Sequence, residues 1–265
     1  MKTSTRTALQ SFLAILFAAI FLQNLPTLGY TEVEGLVLYL PFEQGKGDLA
    51  TDISGNENHG DINKTQWVKG KYDSALEFSG AGDSYVRVKK SDSLIPKDQL
   101  TLEAWVFPTL IGGNKNIISN TEGSGHTMRF EGAQLKAYIH IAGAYATPVG
   151  GADITPNQWY HTAATYDGSV ARVYLNGEIV GEVDRKGNIT ESTQDIFVGS
   201  ETDGNQPNVT YMFFGIIDEV RIWHVARTPD EIKAGMEKLT LPVSPKGNLA
   251  TTWGKMKQNP NKADN

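Results

Sequence analysis

The chain of 265 residues contains no cysteine. It can therefore form no disulfide bond, and it has no catalytic thiol. The formal net charge is −6, and no basic stripe occurs anywhere in the sequence. Nucleic-acid binding depends on clustered Lys and Arg side chains, so we do not expect nucleic acid as a partner. The hydrophobic fraction of 40% indicates a globular protein with a buried core.

Familiar catalytic motifs are also missing. The sequence has no H-E-x-x-H zinc motif, no G-x-S-x-G nucleophile turn and no phosphate-binding loop. One of the five histidines, His161, lies in the strand-like run WYHTAATY, where a structural role is favoured over a catalytic one. An enzymatic function is therefore not expected.

A long hydrophobic run is missing as well. The stretch FLAILFAAIFL at residues 12–22 has eleven residues, whereas a membrane-spanning helix needs about 20. It follows Lys2 and Arg6 and precedes QNLPTLG, an order typical of a secretory signal peptide. We predict a signal peptide over residues 1–29 and a secreted, periplasmic or cell-surface protein without a membrane span after cleavage. Retention of this segment as an anchor is the alternative.

The sequence does contain many short runs of alternating polarity between clusters of Gly, Asn and Asp. Runs such as GLVLYLPF, LTLEAWVFP and FFGIIDEVRIW are rich in β-branched and aromatic residues and fit strands of period two. Tight turns at Asp167–Gly168 and Asn176–Gly177 predict a three-stranded meander over residues 159–182. Because no helices alternate with these strands, we predict an all-β fold, an antiparallel two-sheet β-sandwich.

One short C-terminal helix is predicted in RTPDEIKAGMEKL. Thr228 is placed as the N-cap, Pro229 as the first helical residue, and Glu231 completes a capping box. Beyond the helix the chain is rich in Pro, Lys and Asn and has no periodic apolar face. We therefore predict one domain over residues 30–239 and a disordered tail over residues 240–265.

Six strings resemble, in this order, the LamG-like (laminin G, concanavalin A-like) jelly-roll family in its bacterial secreted form. They are GLVLYLPFEQGKG, DISGNENHGDI, GKYDSALEFSGAGDSYVRV, LTLEAWVFP, ITPNQWYHTAATYDGSVARVYLNGEIVGE and FFGIIDEVRIWHVARTPDEI. The resemblance implies a concanavalin A-like jelly roll that acts as a non-catalytic binding or spacer module, often with a bound calcium ion. The same fold also occurs in glycoside hydrolases, so the fold does not decide the function.

A glycoside hydrolase would need two carboxyl groups about 5 Å apart for retention or about 6.5–9.5 Å apart for inversion. Laminarinase-like relatives carry theirs as E-x-D-x-x-E, and no such string occurs here. Asp218 and Glu219 are adjacent, and a regular strand would point them to opposite faces. Hydrolase activity is therefore the less favoured alternative.

A structural calcium site is predicted from three acids. The loop DISGNENHGD resembles an EF-hand in its alternating oxygens, but Glu57 stands where that loop requires glycine. Period two would place Asp218 on the face of Val220, predicted to be the core face, where a carboxylate needs a cation or hydrogen bonds. The resemblance places the first and last strands side by side, which would bring Glu43 near Asp218 and lead the chain on to Asp52. We predict Ca²⁺ bound by Asp218, Glu43 and Asp52; the alternative is that Asp218 only accepts backbone hydrogen bonds.

Ligand binding is predicted for the long polar loops, which carry function on rigid scaffolds. Tyr145 lies in IAGAYATPVGGAD, and Tyr211 follows SETDGNQPNVT. Both are predicted to contact a glycan or an extracellular protein. The favoured function is thus a secreted, non-catalytic binding or adhesion module. The alternative is a structural spacer, or an assembly component without a small ligand.

Overall fold

A computed structural model describes residues 28–30, 33–121, 123–151, 153–203, 206–208, 210–241 and 243–245. The chain divides into two compact units, residues 1–31 with 241–265, and residues 32–240. The predicted signal peptide over residues 1–29 and the predicted tail over residues 240–265 fall almost wholly outside the described residues, and both stay predictions. Among the described helices, none has the length and apolar character that a membrane crossing requires.

The described secondary structure consists mainly of short β-strands. In chain order the strands are β1 (Leu28–Tyr30), β2 (Leu36–Leu40), β3 (Leu49–Ala50), β4 (Gly60–Asn63), β5 (Gln66–Lys69), β6 (Ser74–Ser79), β7 (Tyr85–Val88), β8 (Leu100–Pro108), β9 (Asn114–Ser119), β10 (His126–Glu131), β11 (Gln134–Ile141), β12 (Ala144–Ala146), β13 (Val149–Gly150), β14 (Tyr160–Tyr166), β15 (Val170–Leu175), β16 (Glu178–Asp184), β17 (Ile196–Val198), β18 (Glu201–Asp203), β19 (Gln206–Asn208), β20 (Phe214–Trp223) and β21 (Val243–Pro245). The helical elements are a 3-10 turn (Asp92–Leu94) and helix α1 (Pro229–Gly235).

Two large antiparallel sheets form most of the second unit, and β18 pairs with β19 in a separate two-stranded sheet. The nine-stranded sheet has the order β12-β11-β10-β9-β17-β7-β4-β3, and β13 also pairs with β11. The eight-stranded sheet has the order β16-β15-β14-β8-β20-β6-β5, and β2 also pairs with β20. β14, β15 and β16 form the predicted meander. In the first unit, β1 pairs with β21. The prediction of an all-β, two-sheet sandwich is confirmed.

The hydrophobic core lies between the two sheets, because alternate side chains of each strand point inward. In β11, Leu135, Ala137 and Ile139 are fully buried in the core, whereas Gln134 and Lys136 are not. Burial of each large aliphatic side chain contributes about 1.5–3 kcal/mol relative to exposure. The side of each sheet that points away from this core is its outer face.

Strand β20 breaks the period of two, and this changes the predicted direction of Asp218. The register against β8 shifts between Asp218 and Arg221, and Glu219 has a φ of +54°. This β-bulge adds one residue and reverses the alternation beyond it. Val220 belongs to the core, but Asp218 pairs with Trp105 on the outer face. The prediction that Asp218 shares the face of Val220 was wrong, because it assumed an unbroken strand.

Helix α1 forms as its cap sequence predicts. The Thr228 side chain accepts a hydrogen bond from Glu231 N, and the Glu231 side chain accepts one from Thr228 N at 2.7 Å. Ile232 is fully buried in a small cluster with Ala163 and Tyr174 of the eight-stranded sheet. The helix therefore packs on the outer face of that sheet. The prediction of one short helix near the C-terminus is confirmed for the described residues.

Candidate ligand-binding site

Part of the outer face of the eight-stranded sheet is covered by the chain itself. Trp105 Nε1 and the Tyr72 hydroxyl both donate hydrogen bonds to the Met236 carbonyl, at 3.1 and 2.7 Å. Arg221 Nη1 donates to the Gly235 carbonyl at 2.7 Å. These donors bond to carbonyls at the helix C-terminus that find no partner inside a helix. The helix end is thus fastened to the sheet, and it covers the part of this face around Trp105 and Arg221.

A network of buried charges lies beneath α1. Arg221, which is 1% exposed, pairs with Glu103 at 3.4 Å and with Glu219. Glu103 also pairs with Arg227 at 2.9 Å, and the Tyr39 hydroxyl donates to Glu219 Oε2 at 2.6 Å. Burial raises the pKa of the Glu103 carboxyl, although the two guanidinium groups oppose this. Because the bulge brings Glu219 to the same face as Asp218, the expectation that the two would point apart was also wrong.

Asp218 is fully buried beside this network. It accepts hydrogen bonds from Tyr72 N at 3.2 Å and from Glu219 N at 2.8 Å. Burial raises the pKa of its carboxyl to about 8, even though the Tyr72 hydrogen bond favours the charged form. These backbone hydrogen bonds match the alternative considered for Asp218.

Asp52 shapes the loop that it begins. Its Oδ1 accepts hydrogen bonds from Tyr39 N at 2.8 Å and Ser54 N at 2.9 Å. Its Oδ2 accepts from Ser54 Oγ at 2.8 Å and Asn58 N at 2.9 Å, and Asp52 N donates to His59 Nδ1 at 3.0 Å. Asp52 therefore holds the loop against β2 with both of its carboxylate oxygens.

Among the described residues, the three predicted calcium ligands are not grouped as one metal site. Glu43 forms an ion pair with Lys238 at 2.9 Å, and Lys238 also binds Asp73 at 2.6 Å. Calcium takes six to eight oxygen ligands, but both oxygens of Asp52 already accept protein donors. Within the described residues, no three His, Cys, Asp or Glu side chains are grouped in a way that could hold a metal. Calcium binding stays a prediction.

The outer face of the nine-stranded sheet carries aromatic and charged side chains around Arg129. The Arg129 guanidinium lies 4.3 Å from the centre of the Tyr138 ring and 5.4 Å from that of Tyr211. Tyr145 meets Tyr138 edge-on, with ring centres 6.1 Å apart. The two tyrosines predicted from separate loops thus flank one Arg129–Tyr138 pair. We call this surface the Arg129 face, formed by Arg129, Glu131, Lys136, Tyr138, Tyr145, Glu201 and Tyr211.

The β10–β11 hairpin supplies the centre of the Arg129 face by simple alternation. Met128 and Phe130 belong to the core, so Arg129 and Glu131 point outward, and Lys136 lies opposite Arg129 in the register. Sequence analysis missed these charged residues because it sought ligand contacts only in loops. The alternation in TMRFEGAQLKAYIHI is the signal that would have found them.

Glu131 connects the charges of the Arg129 face. Its Oε1 accepts hydrogen bonds from Arg129 Nε at 2.9 Å and from the Tyr138 hydroxyl at 2.6 Å, and its Oε2 accepts from Lys136 Nζ at 2.5 Å. Burial opposes ionisation, yet these donors lower the pKa of the Glu131 carboxyl to about 2. Glu201 approaches the opposite side of Arg129 at 3.4 Å. Two cations and two carboxylates therefore balance on one half-buried surface.

The fold and this surface define a two-sheet β-sandwich in which a helix covers part of one outer face and the other outer face presents aromatic rings. A laminin G-like family model, described as the concanavalin A-like lectin/glucanases superfamily, matches residues 80–233. The chain belongs to this family.

Among characterised proteins, mouse (Mus musculus) pappalysin-1 is 28% identical in an alignment of 208 positions, which covers 69% of this chain and 12% of pappalysin-1. The chain therefore spans only a small part of this relative.

Two solved structures are similar in fold. The binding domain of Paraclostridial Mosquitocidal Protein 1 has a TM-score of 0.62 and 19% identity, covering 76% of this chain and 51% of that one. Domain 4 of an extracellular arabinanase from Geobacillus stearothermophilus, solved with arabinotriose, has a TM-score of 0.57 and 19% identity. It covers 78% of this chain and 100% of that domain. At these identities the likeness shows the fold alone.

Proposed function

We propose that the protein is a secreted, non-catalytic binding module that holds a carbohydrate on the Arg129 face. The arrangement of Tyr138 carries this proposal, because its half-buried ring lies between Tyr145 and Arg129 and its hydroxyl is fixed by Glu131. Sugars present flat C–H faces that pack on aromatic rings, and hydroxyls that hydrogen-bond to neighbouring charged groups. An aromatic surface with fixed polar neighbours suits both requirements.

The similar structures support a binding role. One is titled as the binding domain of a toxin, and another is an arabinanase domain solved with arabinotriose. Both share the sandwich fold with this chain. They make a glycan the first ligand to test, with an extracellular protein as the second.

The titratable groups favour binding over hydrolysis. A glycosidase requires a carboxyl group of raised pKa that reaches the substrate as a general acid. Glu131 lies in the candidate site, but its pKa is lowered to about 2, so it stays ionised. The pKa of Asp218 is raised, but its side chain is fully buried and does not reach the surface where a substrate would bind. Neither carboxyl group meets both requirements.

A glycan array probed with the purified chain tests the binding proposal. We expect retention of at least one glycan, and a loss of about tenfold in affinity, equivalent to ~1.4 kcal/mol, in Tyr138→Ala. The matched control is Tyr85→Ala, since Tyr85 lies on β7 of the same sheet and packs on Phe197 at 5.3 Å instead. Equal binding by Tyr138→Ala and wild type would show that the ligand binds elsewhere. Retention of no glycan would favour the spacer or assembly alternative.

The predicted calcium ion is tested separately by thermal unfolding. A bound ion stabilises the folded state by mass action, so a chelator should lower the Tm. Glu43→Gln should remove this dependence if Glu43 is a ligand. A Tm unchanged by chelator would show that the folded chain does not depend on calcium, as the Lys238–Glu43 pair favours.

A further inference from the structure

We infer that the Arg129 face selects uncharged saccharides and rejects acidic ones, an inference that rests on the proposed carbohydrate binding at this face. The reason is that its cations are already neutralised by carboxylates of the same chain. The net charge offered to a ligand is zero, as two cations and two carboxylates are paired.

The guanidinium group of Arg129 is engaged on two sides. Nε and Nη2 donate to Glu131, and Nη1 lies 3.4 Å from Glu201. The centres of the Tyr138 and Tyr211 rings lie 4.3 and 5.4 Å from the guanidinium carbon. A ligand carboxylate or sulfate that approached the remaining N–H groups of Arg129 would lie beside Glu131 and Glu201 and be repelled by both, unless it displaced one of them.

Displacement of a glutamate is unfavourable because both glutamate side chains are largely buried. The exposed fraction of the side chain is 19% for Glu131 and 13% for Glu201. A carboxylate that loses its partner at this depth keeps most of its desolvation penalty. Glu131 would also lose the donors Lys136 and Tyr138, which hold its charge in place. An acidic ligand therefore either meets two like charges beside Arg129 or leaves a buried glutamate without its partner.

A neutral sugar has no such penalty. Each hydroxyl both donates and accepts, so it can bond to the outer edges of the Glu131–Lys136 pair without breaking it. Stacking on the tyrosine rings does not require a charge on the ligand. The pKa of Glu131 is lowered to about 2, so the paired state persists throughout the neutral range.

Affinity gel electrophoresis with neutral and acidic polysaccharides tests the inference. The neutral probes are arabinan, galactan, xylan and hydroxyethylcellulose, and the acidic probes are polygalacturonate, alginate and carboxymethylcellulose. We expect retardation by at least one neutral probe, insensitive to salt, and by no acidic probe. In Glu201→Gln one negative charge is lost beside Arg129, and binding of acidic probes should rise roughly fivefold or more and become salt-sensitive.

The matched control is Glu182→Gln, which makes the same charge change beside Arg172 on the eight-stranded sheet. It should behave as wild type with every probe. Tighter wild-type binding of an acidic probe would overturn the inference while leaving carbohydrate binding intact. An unchanged preference in Glu201→Gln would also overturn it. If no probe retards the protein and the glycan array is also blank, the binding proposal itself is wrong and this inference is lost with it.

Discussion

Replacement of Arg221 by methionine should destabilise the protein by about 3–5 kcal/mol, the usual result of leaving buried charges unpaired. Arg221 is 1% exposed, and its two carboxylate partners, Glu103 and Glu219, are each 0% exposed at the side chain. It also donates to the Gly235 carbonyl at the end of α1. Methionine has a similar flexible stem but no donor. Glu103 would keep only Arg227, Glu219 would keep only the neutral Tyr39 hydroxyl, and the Gly235 carbonyl would lose this donor. For a chain of this size the expected fall in Tm is roughly 6–20 °C.

Urea unfolding followed by tryptophan fluorescence measures this loss. The control is Arg172→Met. The ion pairs of Arg172 with Asp167 and Glu182 are partly exposed, so this variant should lose less than about 1 kcal/mol in the free energy of unfolding. The effect of Arg221→Met should shrink in acid, because protonation of Glu103, whose pKa burial already raises, removes one of the two buried negative charges that Arg221 balances. A loss in Arg221→Met no larger than that in Arg172→Met would refute the reasoning.

Two further predictions concern acid sensitivity and the helix cap. Burial lowers the pKa of His126 and of His161 to about 3. The unfolded chain therefore binds more protons between pH ~3 and ~6.5. The contribution of these histidines to stability is complete above that window, falls by about 1.4 kcal/mol per pH unit per histidine as the pH drops through it, and changes no further below pH ~3. In His161→Gln the free energy of unfolding, measured by urea titration at several pH values, should depend less steeply on pH by the contribution of one histidine. An unchanged slope would show that His161 is not the source of this pH dependence. Thr228→Ala should lose about 1 kcal/mol in thermal unfolding, while Thr228→Ser should keep it; equal stability of the two variants would show that the capping box does not stabilise the fold.

Much of the fold could be predicted from the sequence because it depends on near neighbours. Alternation of polar and apolar residues predicted the strands, and paired turns predicted the meander of β14 to β16. The capping box at Thr228 predicted the start of α1. Each of these features rests on residues a few positions apart. The physical forces that set them, side-chain direction and local hydrogen bonding, are therefore visible in the printed chain.

Only part of the candidate site could be predicted from the sequence in this way. Tyr145 and Tyr211 were predicted from loop composition, but Arg129 between them was not. The contact between Arg129 and Tyr211 joins strand β10 to the segment before β20. Such contacts depend on the order of strands in the sheet, which alternation alone does not specify.

The direction of the Asp218 side chain depends on tertiary structure, and the local sequence pattern does not specify it. The sequence by itself determined that FFGIIDEVRIW is a strand, that the fold is a two-sheet sandwich, and that one short helix follows. Only the pairing of β20 with β8 decided that a bulge at Glu219 turns Asp218 to the outer face. A bulge forms because the partner strand and the buried charges around it favour the extra residue, and they come from parts of the chain far away in sequence. Arg221 and Glu103, for example, lie 118 positions apart.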